Sequence, residues 1–97
     1  MPRHIPDPLE ERVDAGLAGA GFVYCRETEN PARLDFLVAS AGAIPEVHVE
    51  VKRFHTDRTN EQLKRADNVI VLQGEGAVDF FCMLLGLAEA VRKTMED

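Results

Sequence analysis

Asp35, Glu50 and Lys52 are the residues of this chain whose types and spacing could do chemistry. Glu50 and Lys52 sit in the stretch His48-Val49-Glu50-Val51-Lys52-Arg53-Phe54, where valines alternate with charged groups. Successive side chains of a β-strand point to opposite faces of a sheet. The alternation therefore predicts a strand with Val49 and Val51 on one face and His48, Glu50 and Lys52 on the other. An edge or surface strand would carry the same pattern for solubility alone. The pattern leaves two readings of the polar face, a solvated surface or a chemical site.

The strand before it bears on that choice. A hairpin turn centred near Gly42 and Ala43 makes the numbers of opposed residues sum to about 85. Phe36 then faces Val49, Val38 faces Val47 and Leu34 faces Val51, so one face is wholly apolar. The same register sets Asp35 opposite Glu50, with Lys52 two residues along. Two carboxylates directly across a strand pair repel, and something positive belongs between them. Lys52 supplies part of it. A divalent cation such as Mg²⁺ supplies more, because it takes hard oxygen ligands and keeps several waters. A site of that kind activates water and neutralises charge on a phosphoryl group. A neighbouring ammonium can orient the water or stabilise the transition state.

Two further residues join the candidates. Glu10 lies three residues before Val13 and seven before Leu17, so it shares their inward helical stripe. Glu11 points about 100° away and reads as a surface charge. Gln62 could hydrogen-bond a water or a phosphate, and stands equally at capping-box spacing from Thr59.

The elements that must position these groups follow from the pattern. Residues 1–7 read as a frayed arm. Asp7 caps a helix with Pro8 at its first position, and Leu9, Val13, Leu17 and Ala20 recur at helical spacing. Gly19 and Gly21 end it. Strands are predicted over 22–27, 33–39 and 46–54, a short helix over 59–67 and a buried strand over 68–73. After a Gly-Glu-Gly turn, a last helix is predicted over 77–95, with Asp79 in its first turn and Arg92 and Lys93 in its last. The order gives an α/β fold with a mixed sheet: a meander of three strands, then a crossover helix to the fourth.

Length and composition bound the function. The 97 residues form a single domain, 1–97, of a size that gains stability from a partner. Cys25 and Cys82 are far apart and give neither a disulfide framework nor a CxxC pair, which fits a reducing cytoplasm. No signal peptide is read at the N-terminus. The most apolar run, 80–88, is too short to span a bilayer. The net charge of −6 argues against passive coating of nucleic acid. Basic residues nevertheless collect between Lys52 and Arg65, where Arg53, Arg58 and Lys64 face only Asp57 and Glu61. That segment is either a phosphate-facing side or a solvated helix face.

Asp35 followed by Glu50-x-Lys52, on this order of helices and strands, resembles the PD-(D/E)xK nuclease superfamily. The resemblance runs from Glu10 to about Leu85. The stretch 10–22, EERVDAGLAGAGF, also looks like the opening helix of archaeal Holliday-junction resolvases of this class. Compactness and Gln62 look most like the small stand-alone virus-type replication-repair nucleases. The pattern departs at Leu34, where the family has proline. The resemblance implies a restriction-endonuclease-like αβββαβα core with a mixed sheet flanked by helices. It implies Mg²⁺- or Mn²⁺-dependent hydrolysis of phosphodiester bonds in DNA, commonly by a homodimer. Asp35 and Glu50 would be metal ligands, Lys52 the catalytic lysine, Glu10 an accessory ligand and Gln62 an auxiliary.

Two other readings compete. The fold could be kept without the chemistry, with Asp35, Glu50 and Lys52 as a salt-bridged surface of a binding or assembly module. A zinc or redox site could draw on His48, His55, Cys25 and Cys82, but their spacing matches no zinc pattern, and His48 reads better as an ordinary polar strand residue. One more feature points to a partner. Phe80, Phe81, Met83, Leu84, Leu85 and Leu87 wrap most of the last helix. A helix apolar all round needs cover on both sides, so this one is expected to carry a homodimer contact.

Overall fold

The computed structural model describes residues 7–29, 31–40, 45–53 and 58–96, less the side chains of 58–60, 92 and 96. Helix α1 spans Pro8–Gly19. Its start is as the sequence dictates: Asp7 has extended backbone, and its Oδ1 accepts the Leu9 N–H at 2.8 Å. Its end is a Schellman turn. Gly21 adopts φ 82° and donates to the Ala18 carbonyl, while the Phe22 N–H reaches the Leu17 carbonyl, both at 3.1 Å. Gly21 rather than Gly19 is thus the residue that stops the helix. The arm expected over residues 1–7 falls outside the described residues except for Asp7.

Strands β1 (Tyr24–Arg26), β2 (Phe36–Val38), β3 (Val47–Lys52) and β4 (Val69–Gln73) form a sheet in the order β1-β2-β3-β4. The first three are antiparallel, and β4 runs parallel to β3. Helix α2 (Arg58–Leu63) lies in the β3-to-β4 connection, and α3 (Glu75–Glu96) follows β4. The protein is therefore α/β, with a mixed four-stranded sheet. The hairpin register is the one expected: Phe36 faces Val49 and Val38 faces Val47. The turn itself lies outside the described residues.

The core explains why that register holds. Leu9, Val13 and Leu17 of α1 pack with Phe36, Val49, Val51 and Leu72 of the sheet and with Val78 and Leu85 of α3. A one-residue slip of β2 would turn Phe36 away from this cluster. Each such side chain contributes roughly 1.5–3 kcal/mol when fully buried. By alternation, Leu37, His48, Glu50 and Lys52 belong to the opposite face.

Several boundaries differ from expectation. Strand β2 begins at Phe36, not 33, because Arg33 takes φ 58° and the chain bends at Asp35. Leu34 is buried, but the β2–β3 pairing stops at Phe36 and does not include the predicted Leu34–Val51 rung. Residues Glu27–Glu29 form a short 3-10 turn, which ends β1 at Arg26. Helix α2 ends at Leu63 and β4 starts at Val69. Helix α3 starts at Glu75 because Gly74, with φ 92°, turns the chain within one residue. Its carbonyl accepts the Val78 N–H at 3.2 Å. Asp79 consequently lies beyond the first turn, where it pairs with Arg12 at 2.8 Å, and Glu75 takes the position near the positive helix end.

Phe36 is the largest fully buried side chain. Phe36→Ala is expected to cost about 3–5 kcal/mol, read as a lower urea midpoint at unchanged slope.

Candidate active site

Four of the predicted residues meet where β2 gives way to the bend at Asp35. Glu50 sits mid-strand on β3, only 3% exposed. Its Oε1 accepts the backbone N–H of Asp35 at 2.9 Å. Asp35 returns the contact: its Oδ2 accepts the backbone N–H of Val51 at 2.7 Å. Each carboxylate is thus held by a main-chain amide of the facing segment, just past the last paired rung. Lys52, two residues along, places Nζ 3.3 Å from Glu50 Oε2. Lys52 is itself fixed from the far side, because its carbonyl accepts the Gly74 N–H at 2.7 Å.

Glu10 is the third carboxyl, and it lines the same cleft as Asp35, close enough for each to influence the other's ionisation. Its placement depends on how α1 is moored. Arg53 reaches Asp7 at 3.5 Å, which ties the end of β3 to the helix cap. Arg12 bridges to Asp79 and Glu75 of α3. The Tyr24 hydroxyl donates to Asp14, and Arg26 reaches Asp14 at 3.4 Å and Glu11 at 3.5 Å. Glu11 is exposed, as expected of a surface charge.

The electrostatics follow from putting three acids in one partly dry corner. Burial pushes the Asp35 carboxyl up to about 6, against the lowering effect of its Val51 and Glu50 hydrogen bonds and with further upward push from Glu10. Burial also raises Glu50, with Asp35 adding to the rise and Lys52 opposing it. Glu10 is raised by burial too, with Arg26 among the groups opposing the rise. The cluster therefore disfavours full ionisation and favours any positive group brought to it. Its donors are all hard oxygens, which suits Mg²⁺ or Mn²⁺ better than zinc. Among the described residues, no group of three or more His, Cys, Asp and Glu is already spaced to enclose an ion. The convergent pair is Asp35 and Glu50, with Glu10 beside Asp35.

A cleft of about 360 Å³ opens onto this corner, lined by Glu10, Glu11, Arg26, Glu27, Thr28 and Asp35. Arg26 is the residue the sequence reading missed. It stands opposite Phe36 in the β1–β2 pairing, with its guanidinium carbon 4.9 Å from the Phe36 ring centroid. That stacking aims a cation along the wall that carries Glu10 and Asp35. Pairing β1 with β2 would have revealed it, but the 3-10 turn and the left-handed Arg33 make that connection irregular.

No family model, curated protein or solved structure matches the chain.

The remaining candidates fall elsewhere. Gln62 is half-buried on α2, and its Oε1 is buried without a partner. Among the described residues no hydrogen bond joins it to Lys52 or the carboxylates. The Thr59 side chain is outside the described residues, and α2 begins at Arg58, which puts Thr59 inside the first turn rather than at the cap. His48 is 8% exposed, with Nε2 unpartnered, on the wall of a separate cleft with Leu37, Arg65 and Asn68. Cys25 and Cys82 are free and half-buried on β1 and α3. His55 is outside the described residues.

The raised Asp35 carboxyl links stability to pH. Between its unfolded value near 3.8 and its folded value of about 6, the folded chain holds a proton that the unfolded chain releases. Its contribution is full below the lower value and is lost as pH rises through the upper one. Asp35→Asn keeps an acceptor for Val51 and removes the ionisation. The variant is expected to gain melting temperature relative to wild type as pH rises from about 4 to about 7, measured by paired thermal scans. A gap independent of pH would contradict the raised value.

Proposed function

We propose that this protein is a divalent-metal-dependent nuclease that hydrolyses phosphodiester bonds in DNA, built on a restriction-endonuclease-like αβββαβα core. The observation that carries the reading is the reciprocal clasp of Asp35 and Glu50 with Lys52 Nζ 3.3 Å from Glu50. A salt-bridged solvent face has no need to bury a glutamate to 3% exposure beside an aspartate with a raised pKa.

Asp35 and Glu50 would hold Mg²⁺ or Mn²⁺, with Glu10 as accessory ligand. Bound there, the ion supplies a more acidic water and neutralises charge on the phosphoryl oxygens. The chain's own residues do the rest. Asp35 and Glu50 are already oriented by backbone amides, so little reorganisation is needed to present their oxygens. The Lys52 ammonium, kept beside Glu50, stabilises charge building on the phosphoryl group or positions the attacking water. Arg26 on the cleft wall and the basic residues that follow Lys52 give the DNA backbone its positive contacts in a chain of net charge −6. Gln62, with an unpartnered Oε1, is an auxiliary acceptor for a water.

One observation favours a second reading, a catalytically silent nuclease-fold module for binding or assembly. Both Glu50 oxygens already have partners within the fold, Asp35 N–H and Lys52. In that reading the cluster is a self-satisfied structural clasp.

Two measurements separate the readings. Incubated with labelled linear, circular and branched DNA plus Mn²⁺, the wild type is expected to cleave at least one substrate, and Lys52→Ala to lose at least about a hundredfold in rate. Mn²⁺ alone is expected to raise the melting temperature of wild type at neutral pH and to leave Asp35→Asn and Glu50→Gln unmoved. A thermal shift without cleavage would assign a metal-binding module. Neither effect would leave the silent clasp.

A further inference from the structure

The sheet face opposite the core carries a second cleft, built around the Leu37–His48 rung of β2 and β3. It holds about 540 Å³ and shares no lining residue with the cleft at Glu10 and Asp35. Pro31, Ala32, Leu37 and Pro45 give it apolar walls, and its polar groups are Glu46, His48, Arg65, Asp67 and Asn68. His48 is 8% exposed, and its Nε2 has no hydrogen-bond partner among the described residues. Buried polar atoms of folded proteins are nearly always paired, so this nitrogen calls for a partner. It is closed to solvent as it stands, and a turn of the imidazole about its broad χ2 torsion presents it to the cleft. An adjoining cleft of about 470 Å³ shares Pro31, Ala32 and Arg65 and adds Arg33. The Arg65 Nη1 donates to the Arg33 carbonyl at 3.5 Å, and neither arginine makes an ion pair among the described residues. Arg33 holds φ 58°, where glycine is the easier residue, yet the position carries a long cation.

We propose that the two clefts form a site for a guanine nucleotide, with the base against His48 and the phosphate between Arg33 and Arg65. Charge divides the two halves. In the larger cleft two carboxylates stand against one guanidinium, so it suits a neutral ring with apolar faces better than a bare anion. The adjoining cleft is lined by two guanidiniums and no acid, which suits a phosphate. The larger volume lies within the range of small-molecule sites. The choice of base follows from the two acids, since an ionised carboxylate only accepts hydrogen bonds. Guanine presents two adjacent N–H donors, N1 and N2, that match the two oxygens of Glu46 or Asp67. Thymine and uracil flank one N–H with carbonyls that a carboxylate repels. Adenine and cytosine set a ring acceptor beside their amino group. The remaining guanine acceptors, O6 and N7, suit the Arg65 guanidinium, and His48 Nε2 gains the ring edge as its missing partner. The same unit exists free and as an unpaired nucleotide of a strand, and this chemistry is common to both. The inference uses no residue of the acidic corner and stands whether or not Asp35 and Glu50 bind metal.

Titration calorimetry in EDTA, which silences any cation-dependent event at Asp35 and Glu50, reads the site directly. Guanosine monophosphate is expected to bind at least about tenfold more tightly than the adenine, cytosine and uracil monophosphates, and about tenfold more tightly than guanosine. Arg33→Gly relieves the positive φ, so it is expected to keep the wild-type melting temperature while binding the monophosphate no better than guanosine. His48→Phe keeps a flat ring and removes its nitrogens, and is expected to weaken guanosine and its monophosphate alike by about tenfold. Should that variant fail to fold, Glu46→Gln/Asp67→Asn, at exposed positions, serves in its place and is expected to lose the preference for guanine over adenine. A short oligothymidine carrying one guanine separates the two sources. Tighter binding than the monophosphate places the unit in a strand, and weaker binding makes the free nucleotide the ligand. No binding of the monophosphate, equal affinity for all the bases, or undiminished binding in the folded variants each overturns the proposal.

Discussion

The exchange of one side-chain hydrogen bond for another across β2 and β3 governs the rest of this protein. Asp35 gives its backbone N–H to Glu50 and takes the Val51 N–H in return. Two facing carboxylates repel, and in isolation they would splay the strand ends. Here each is anchored by a main-chain donor of the facing segment, so neither can swing away without orphaning an amide. A hydrogen bond from an amide to a carboxylate is worth roughly 1.5–3 kcal/mol, and two of them offset the repulsion and part of the desolvation. The unpaid remainder appears as the upward shifts of Asp35, Glu50 and Glu10.

Strand β3 carries both halves of that arrangement. Val49 and Val51 are core residues, while Glu50 and Lys52 alternate with them on the other face. The register that buries Phe36 against Val49 is therefore the register that brings Asp35 to Glu50. Packing energy of the apolar face fixes the geometry of the polar one. The same strand is flanked on its second side by β4, whose end at Gly74 holds the Lys52 carbonyl. Changes in the core around Val49 would be felt at Glu50, which the same strand carries.

How far this was legible depended on whether a feature is set by pattern or by irregular backbone. The β2–β3 register could be read because its alternation admits one apolar match. The α1 boundaries could be read because Asp7, Pro8 and Gly21 each act through local chemistry. Glu10 followed from helical spacing alone. Arg26 did not, since its position depends on a 3-10 turn and a positive φ at Arg33, which no periodicity encodes. Sequence pattern puts the start of α3 two residues late, because Gly74 alone makes the turn expected of Gly74, Glu75 and Gly76 together. The burial of Glu50 was not legible either. Alternation says which face a residue occupies, but not whether that face is covered.

The two apolar sides of α3 and the acidic corner belong to one problem of size. A chain of 97 residues has a small interior, and here one side of α1, one sheet face and one side of α3 make up the core. Keeping three carboxyls partly dry at one end of that core works against folding at neutral pH, where their ionisation is disfavoured. Apolar burial elsewhere, or neutralisation of the cluster, offsets that cost. Among the described residues, Phe80, Leu84, Leu87 and Val91 on the outer side of α3 are apolar surface still open to burial, and a proton on Asp35 is one way the cluster sheds charge. Both act on the same balance, one through apolar area and the other through charge.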